Sequence, residues 1–269
     1  MSLGSLFDKL VAIARRDLLT AIRYRSGFAL GIVGALGEMA AFYYLARAVG
    51  PGFRPEGMDY YPFLLVGTGF YTFLMVGINS FLSTVQEAQQ NGTLEVLVTT
   101  ATPPPVLVLL SAMSSFAGKS LGLIAYVAGG LLLFRVPVRN LNIVGCLLIF
   151  LLSLGIAVAI GIAAGAVQLA TQKGSAVVWL LGSALWFLTG TLFPVDVLPP
   201  ALRGISAVIP ITHSLEGMRL ALLQGASFGD LGREILILGT FCCLLLPLSL
   251  LIFSRALRSA RLNGTLSFY

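Results

Sequence analysis

Few side chains in this chain have types and spacings that could do chemistry. His213 is the only histidine, so a metal site built on two histidines is impossible. His213 and Glu216 stand one helical turn apart. With Asp196 they could meet as a metal or proton site, and ordinary solvated loop residues fit the same pattern. "MSSFAGKS" (Met113–Ser120) ends like a phosphate-binding loop, but Met113 stands where the first glycine belongs. It also sits inside an apolar run rather than after a soluble strand, so it is read as a coincidence. Two ionisable residues interrupt apolar stretches, Glu38 and Lys119. An isolated ion in hydrocarbon costs at least ~2.5–3.5 kcal/mol, so such residues pair, face water or snorkel.

The elements that must position these groups are greasy ones. Of 269 residues, 57% are hydrophobic and only 10% charged, and the mean hydropathy is +0.94. A soluble domain carries about 25% charged residues, so this composition points to an integral membrane protein. The net charge of +6 comes from basic residues beside apolar runs, which suits lipid headgroups and orientation better than nucleic acid. Cys146, Cys242 and Cys243 lie in apolar stretches with no disulfide or zinc spacing. The first 25 residues hold Asp8, Lys9, Arg15, Arg16, Asp17, Arg23 and Arg25 without an uninterrupted apolar core. No cleavable leader is expected, and the first apolar run serves as the membrane signal.

The expected fold is all-α, with six transmembrane helices. Over residues 1–25, Leu6, Leu10, Ile13, Ala14, Leu18, Ala21 and Ile22 recur at helical spacing, with Lys9, Arg16 and Arg23 on another face. This is an amphipathic helix for the membrane interface. Spans are placed near Gly27–Val49, Pro62–Val85, Val106–Phe134, Ile143–Leu169, Ser175–Phe193 and Ile235–Phe253. Residues 194–233 are apolar but broken by Pro194, Pro199, Pro200 and Pro210, which predicts short re-entrant helices between spans five and six. Nine basic residues lie on the side of the termini (Lys9, Arg15, Arg16, Arg23, Arg25, Lys173, Arg255, Arg258, Arg261). Six lie opposite (Arg54, Arg135, Arg139, Arg203, Arg219, Arg233), which favours cytoplasmic termini. The "NGT" glycosylation patterns at Asn91 and Asn263 then fall on the cytoplasmic side and are chance matches. Glu38 and Lys119 sit roughly 16 and 20 Å deep at 1.5 Å per residue. A pair, a snorkelling lysine and a direct substrate role all remain open.

The loop between spans two and three, "EAQQNGTLEVLVTTATPPP" (Glu87–Pro105), has two acids and no Lys or Arg. Its "GTLEVL" (Gly92–Leu97) and following "TP" (Thr102–Pro103) resemble the signature of ABC-2 type transporter permeases at this place. "FPVDVLPPAL" (Phe193–Leu202) is similar to that family's segment between spans five and six. The three prolines and the weakly basic loop depart from the usual pattern. The resemblance covers nearly the whole chain, treated as one transmembrane domain, and it implies a role. Residues 84–105 would form the cytoplasmic coupling segment that docks on a separate ATPase subunit, with Glu87, Asn91, Gly92, Thr93, Leu94, Glu95 and Leu97 at the contact. ATP and magnesium would be held by that partner, and this chain would carry no cofactor and no catalytic residue. Pro103, Pro104 and Pro105 would end the coupling element and start span three.

The resemblance further implies a homodimer in the inner (cytoplasmic) membrane, with lipids around it. The path would run at the dimer interface between spans two and five. There the chain offers Phe70, Tyr71, Phe73 and Asn79, with Trp186, Phe187, Thr189 and Thr191. The same aromatics would serve equally as lipid-facing or packing residues. The expected function is the permease subunit of an ATP-driven exporter. The alternatives are an ATP-independent channel or scramblase, and a lipid-modifying membrane enzyme using Asp196, His213 and Glu216.

Overall fold

A computed structural model describes residues 25–90, 123, 126–136, 141–171 and 173–263, and every regular element among them is helical. The interfacial helix expected over 1–25, most of the third expected span, Asn91–Leu97, Pro103–Pro105 and Lys119 lie outside the described residues. We label the helices α1 (Arg25–Val49), α2 (Tyr60–Gln90), α3 (Ile143–Thr171), α4 (Gly174–Leu188), α5 (Pro200–Val208), α6 (Pro210–Arg219) and α7 (Phe228–Asn263). Residues 126–133 are also helical. α2, α3 and α7 are each long and apolar enough to cross a bilayer. An all-α membrane protein is therefore what the chain forms.

α2 is the centre of the fold. Its most apolar window is 83% buried within the protein, against 33% for α3 and 11% for α7, so α3 and α7 keep large faces for lipid or a partner. α3 packs most extensively on α7 and then on α2. Phe73 of α2 stacks on Phe150 of α3 at 5.2 Å between ring centroids, and Phe70 joins them. Gly161 lets α3 approach Phe81 closely, as small residues do between membrane helices.

Local signals set the helix ends. Asn142 caps α3 by accepting from the Gly145 amide at 2.9 Å, while its own side-chain amide donates to the Ala226 carbonyl. Ser227 and Asp230 form a reciprocal box at the start of α7, with each side chain accepting from the other's backbone amide. Pro200 and Pro210 stand in the first turns of α5 and α6, where their missing amide hydrogen costs nothing. The prolines read as breakers in the sequence are thus also helix starters.

α4 stops at Leu188, short of the Phe193 expected. Its 15 residues rise only about 22 Å, less than the ~30 Å hydrocarbon core. The cause is local: Gly190 takes a left-handed φ of 76°, which ends the helix. The chain then turns back through α5 and α6, and the Ser206 hydroxyl donates to the Leu188 carbonyl at 2.6 Å. α6 runs on into a π-helical turn, Leu220–Gln224, closed by left-handed Gly225.

Candidate functional site

α2 turns one polar stripe towards α4. Thr68, Thr72, Met75 and Asn79 are spaced by four, three and four, which puts them on a single helix face. α4 answers with Trp179, Gly182, Ser183 and Trp186, and α1 adds Glu38. Together with Tyr71 and Val178 they line an open cavity of about 330 Å³. The Tyr71 hydroxyl donates to the Gly182 carbonyl at 2.6 Å and sets the spacing of the two helices. A second cavity of about 320 Å³ continues along the groove, lined by Asn79, Ser80, Ser83, Gln86 and Ser175. From Thr68 to Gln86 the stripe climbs about 27 Å, close to the thickness of the hydrocarbon core. On its other side Glu38 borders a third cavity of about 400 Å³ with Gly34, Gly69, Thr72, Phe73 and Tyr126. No basic side chain among the described residues lines any of the three.

Asn79, Ser80 and Ser83 donate to carbonyls of their own helix, at Met75, Val76 and Ser80, so the stripe is tolerable in lipid. Its oxygens keep acceptor capacity that hydrocarbon leaves unused, and the buried Thr68 hydroxyl is unpaired among the described residues. The stripe belongs against a second chain, a water-filled path or a polar ligand.

At one end of the groove, α2, α3 and α4 are joined by a buried amide network. Gln168 donates to the Gln89 side-chain oxygen at 3.2 Å, and its own oxygen accepts from the Gly174 amide at 2.8 Å. Both glutamine side chains are fully buried. Gln168→Leu should strand the Gln89 carbonyl and the Gly174 amide, each at roughly 1–3 kcal/mol. The expected result is a lower thermal midpoint in detergent, and an unchanged midpoint would show that the network contributes nothing. Glu87 is exposed on the last turn of α2, one turn from this network.

At the other end a buried cation holds three segments. Arg219 of α6 is 2% exposed. It donates to the carbonyls of Phe63 (3.2 Å), Gly190 (2.9 Å) and Thr191 (3.0 Å). Its guanidinium carbon also lies 3.5 Å from the centroid of the Phe63 ring. Burial pulls its pKa down to about 10, while the charges of Glu56 and Glu216 oppose that shift, so it stays protonated at neutral pH.

Beside it, His213 Nδ1 lies 2.6 Å from Glu234 Oε2, and His213 Nε2 lies 2.9 Å from the Ala207 carbonyl. The hydrogen bond with Glu234 is the main force holding the His213 pKa above its ordinary value, against the opposing pull of burial. Burial likewise raises the Glu216 carboxyl, and Glu234 adds to that. Ligand atoms of His213, Glu216 and Glu234 all lie within 4.8 Å of one another. Asp196, grouped with His213 and Glu216 in the sequence, is exposed on a separate turn, and Glu234 takes its place.

Of the residues expected along a path, Tyr71, Asn79 and Trp186 meet in the first cavity. Phe73 borders the third, while Phe70 is buried in the aromatic core. Phe187 is exposed beside Trp186, their rings 5.6 Å apart. Thr189 and Thr191 are buried past the end of α4 with their hydroxyls 3.0 Å apart. Thr68, Thr72, Trp179 and Ser183 were not singled out in the sequence. Helical spacing from Asn79 and Trp186 leads to each of them.

Two comparisons with known proteins bear on these observations. A family model described as ABC-2 type transporter matches residues 8–223, which is most of the chain. No curated protein matches it.

Proposed function

This chain belongs to the ABC-2 type transporter family, and we propose that it is the permease subunit of an ATP-driven exporter, whose cargo moves along the α2–α4 groove. It is a membrane transporter component by family. The observation that carries the proposal is the polar stripe from Thr68 to Gln86, a row of hydroxyls and amides about as long as the bilayer core is thick. A second copy placed over this groove would enclose it and make a path at the interface. Six spans, cytoplasmic ends and residence in the inner membrane complete the reading, with α5 and α6 dipping into the outer leaflet.

The motor is a separate ATPase that holds ATP and magnesium. Glu87, Asn91, Gly92, Thr93, Leu94, Glu95 and Leu97 form the grip. Acids pair with basic groups of the partner, and the leucines fill apolar pockets. ATP closes the ATPase dimer, the grip moves, and the groove opens outward. Because α2 carries both Glu87 and the polar stripe, a push on Glu87 reaches the groove through one rigid helix. The Gln89–Gln168–Gly174 bonds would carry it across to α4.

The test is co-purification. Tagged wild-type chain should bring down an ATPase, and Glu87→Arg combined with Leu94→Ala should abolish the capture. ATPase capture that survives both substitutions would overturn the assigned contact. A wild-type chain that captures no ATPase would overturn the motor-driven reading itself.

A further inference from the structure

We propose that the cavity between α2 and α4 is a binding site for a lipophilic organic cation of the protonated-amine kind, with Glu38 as its counter-charge. This deepens the transport reading by naming the cargo's chemistry, and it rests on that reading for its role but not for its existence.

The cavity combines the groups that recognise such a cation. Glu38 is the one acid lining it, and no described cation lines it to oppose that charge. Ionisable residues at membrane depth face a cavity or a partner, and they mark functional sites. Two indoles and a phenol, from Trp179, Trp186 and Tyr71, line the same space. Faces of Trp and Tyr attract organic cations through the ring quadrupole, most strongly where water is excluded. Trp179 is 73% exposed, so its ring is available rather than locked in the core.

A separate observation points the same way. Thr68 is 3% exposed and lines this cavity, and its buried hydroxyl has no hydrogen-bond partner among the described residues. Buried polar groups are normally satisfied. A protonated amine supplies the missing partner once the Thr68 side chain turns its hydroxyl to the cavity: its N–H donates to the Thr68 oxygen while its charge faces Glu38. The volume of about 330 Å³ falls at the lower end of the range for small-molecule sites. Lipophilicity of the ligand follows from Met75, Val178 and the indoles, which form the rest of the wall. An anionic amphiphile would meet Glu38 with a like charge, so the site discriminates by sign.

The experiment uses a feature of the chain itself. It has two tryptophans, and both line this cavity, so saturable quenching of intrinsic indole fluorescence reports on the site. Purified full-length chain in neutral-lipid nanodiscs is titrated with tetraphenylphosphonium and with its anionic counterpart of the same shape, tetraphenylborate. The phosphonium should quench saturably and the borate should not. Glu38→Gln should weaken the phosphonium by about tenfold or more, with an unchanged elution profile. 1-Adamantylammonium should compete with the phosphonium, and Thr68→Val should weaken the amine while sparing the phosphonium, which has no N–H to donate. Equal binding of the two tetraphenyl ions would reduce the groove to a generic greasy surface and overturn the proposal. So would full affinity in Glu38→Gln, or no saturable quenching by the cation in the wild type. The wild-type comparison needs no variant to fold. Binding is read without an ATPase, so failed capture of an ATPase leaves this result standing, and the reverse holds as well.

Discussion

Gly67→Ala should unfold or misassemble the Arg219 end of this protein, at a cost of about 3–5 kcal/mol. A β-carbon at Gly67 would stand 1.9 Å from Arg219 Nη2 and 2.9 Å from the Thr191 carbonyl oxygen. The oxygen is backbone and cannot easily withdraw. The guanidinium is held by three carbonyls, so moving it breaks hydrogen bonds in a place with no water to replace them. Gly67 is needed here for closeness of approach, not for its backbone freedom. Arg219→Met removes the charge together with the clash against the guanidinium, leaving only the approach to the Thr191 oxygen. It leaves three carbonyls without donors but no buried ion. Arg219→Lys keeps the charge and loses the fork, and one ammonium cannot face three carbonyls from the guanidinium's positions. The measurement is a double-mutant cycle on thermal unfolding in detergent. Gly67→Ala should cost much less in the Arg219→Met background than in the wild type, because most of its penalty is displacement of the guanidinium. Equal costs in the two backgrounds would show that Arg219 is not what the β-carbon strikes.

That clamp shows where the sequence stops being informative. In the sequence Arg219 reads as one more basic residue of a loop between spans. Its partners are backbone carbonyls at Phe63, Gly190 and Thr191, and every residue has a carbonyl, so no side-chain pattern marks them. Glu234 was missed for a related reason. It stands just before the apolar run taken as span six, and α7 in fact begins at Phe228, a full turn and more earlier. The sequence groups Asp196 with His213 and Glu216, which share the proline-rich segment, yet Glu234 from α7 makes the contact. In contrast, the extents of α1, α2 and α3 were legible to within a few residues, because a bilayer demands long apolar runs and the chain has them. α4 ended early because Gly190 turns left-handed, an event that hydropathy does not record. The groove was half legible. Asn79 and Trp186 stood out by residue type, while Thr68 and Ser183 became meaningful only once α2 and α4 were seen side by side.

Glu234→Ala should be the second severe substitution, at roughly 1–3 kcal/mol, because it leaves the buried His213 Nδ1 without its hydrogen-bond partner. His213 is the tie between α5, α6 and α7. Nδ1 meets Glu234 at the start of α7, Nε2 meets Ala207 of α5, and the ring itself belongs to α6. A doubly protonated ring donates to both at once, whereas a neutral ring can donate to only one. The pH dependence follows with a definite sign. The Glu234 hydrogen bond raises the His213 pKa in the folded protein. The protonated ring therefore contributes stability in full below its unfolded pKa of about 6.5, and that contribution is lost as pH rises through the higher folded value. The wild type should accordingly lose thermal midpoint on going alkaline across that window. His213→Gln should flatten the slope there, since its amide can still donate once but does not titrate. Glu216 also bears on this ring, and Arg233 bears on Glu216 and Glu234, so the control is Arg233→Gln, which removes an exposed charge 3.9 Å from the far Glu234 oxygen. If the slope survives His213→Gln, a group other than the buried imidazole titrates in this window and the assignment to His213 fails. If it disappears in His213→Gln alone, one proton on one ring sets how firmly α5, α6 and α7 close over the end of the groove.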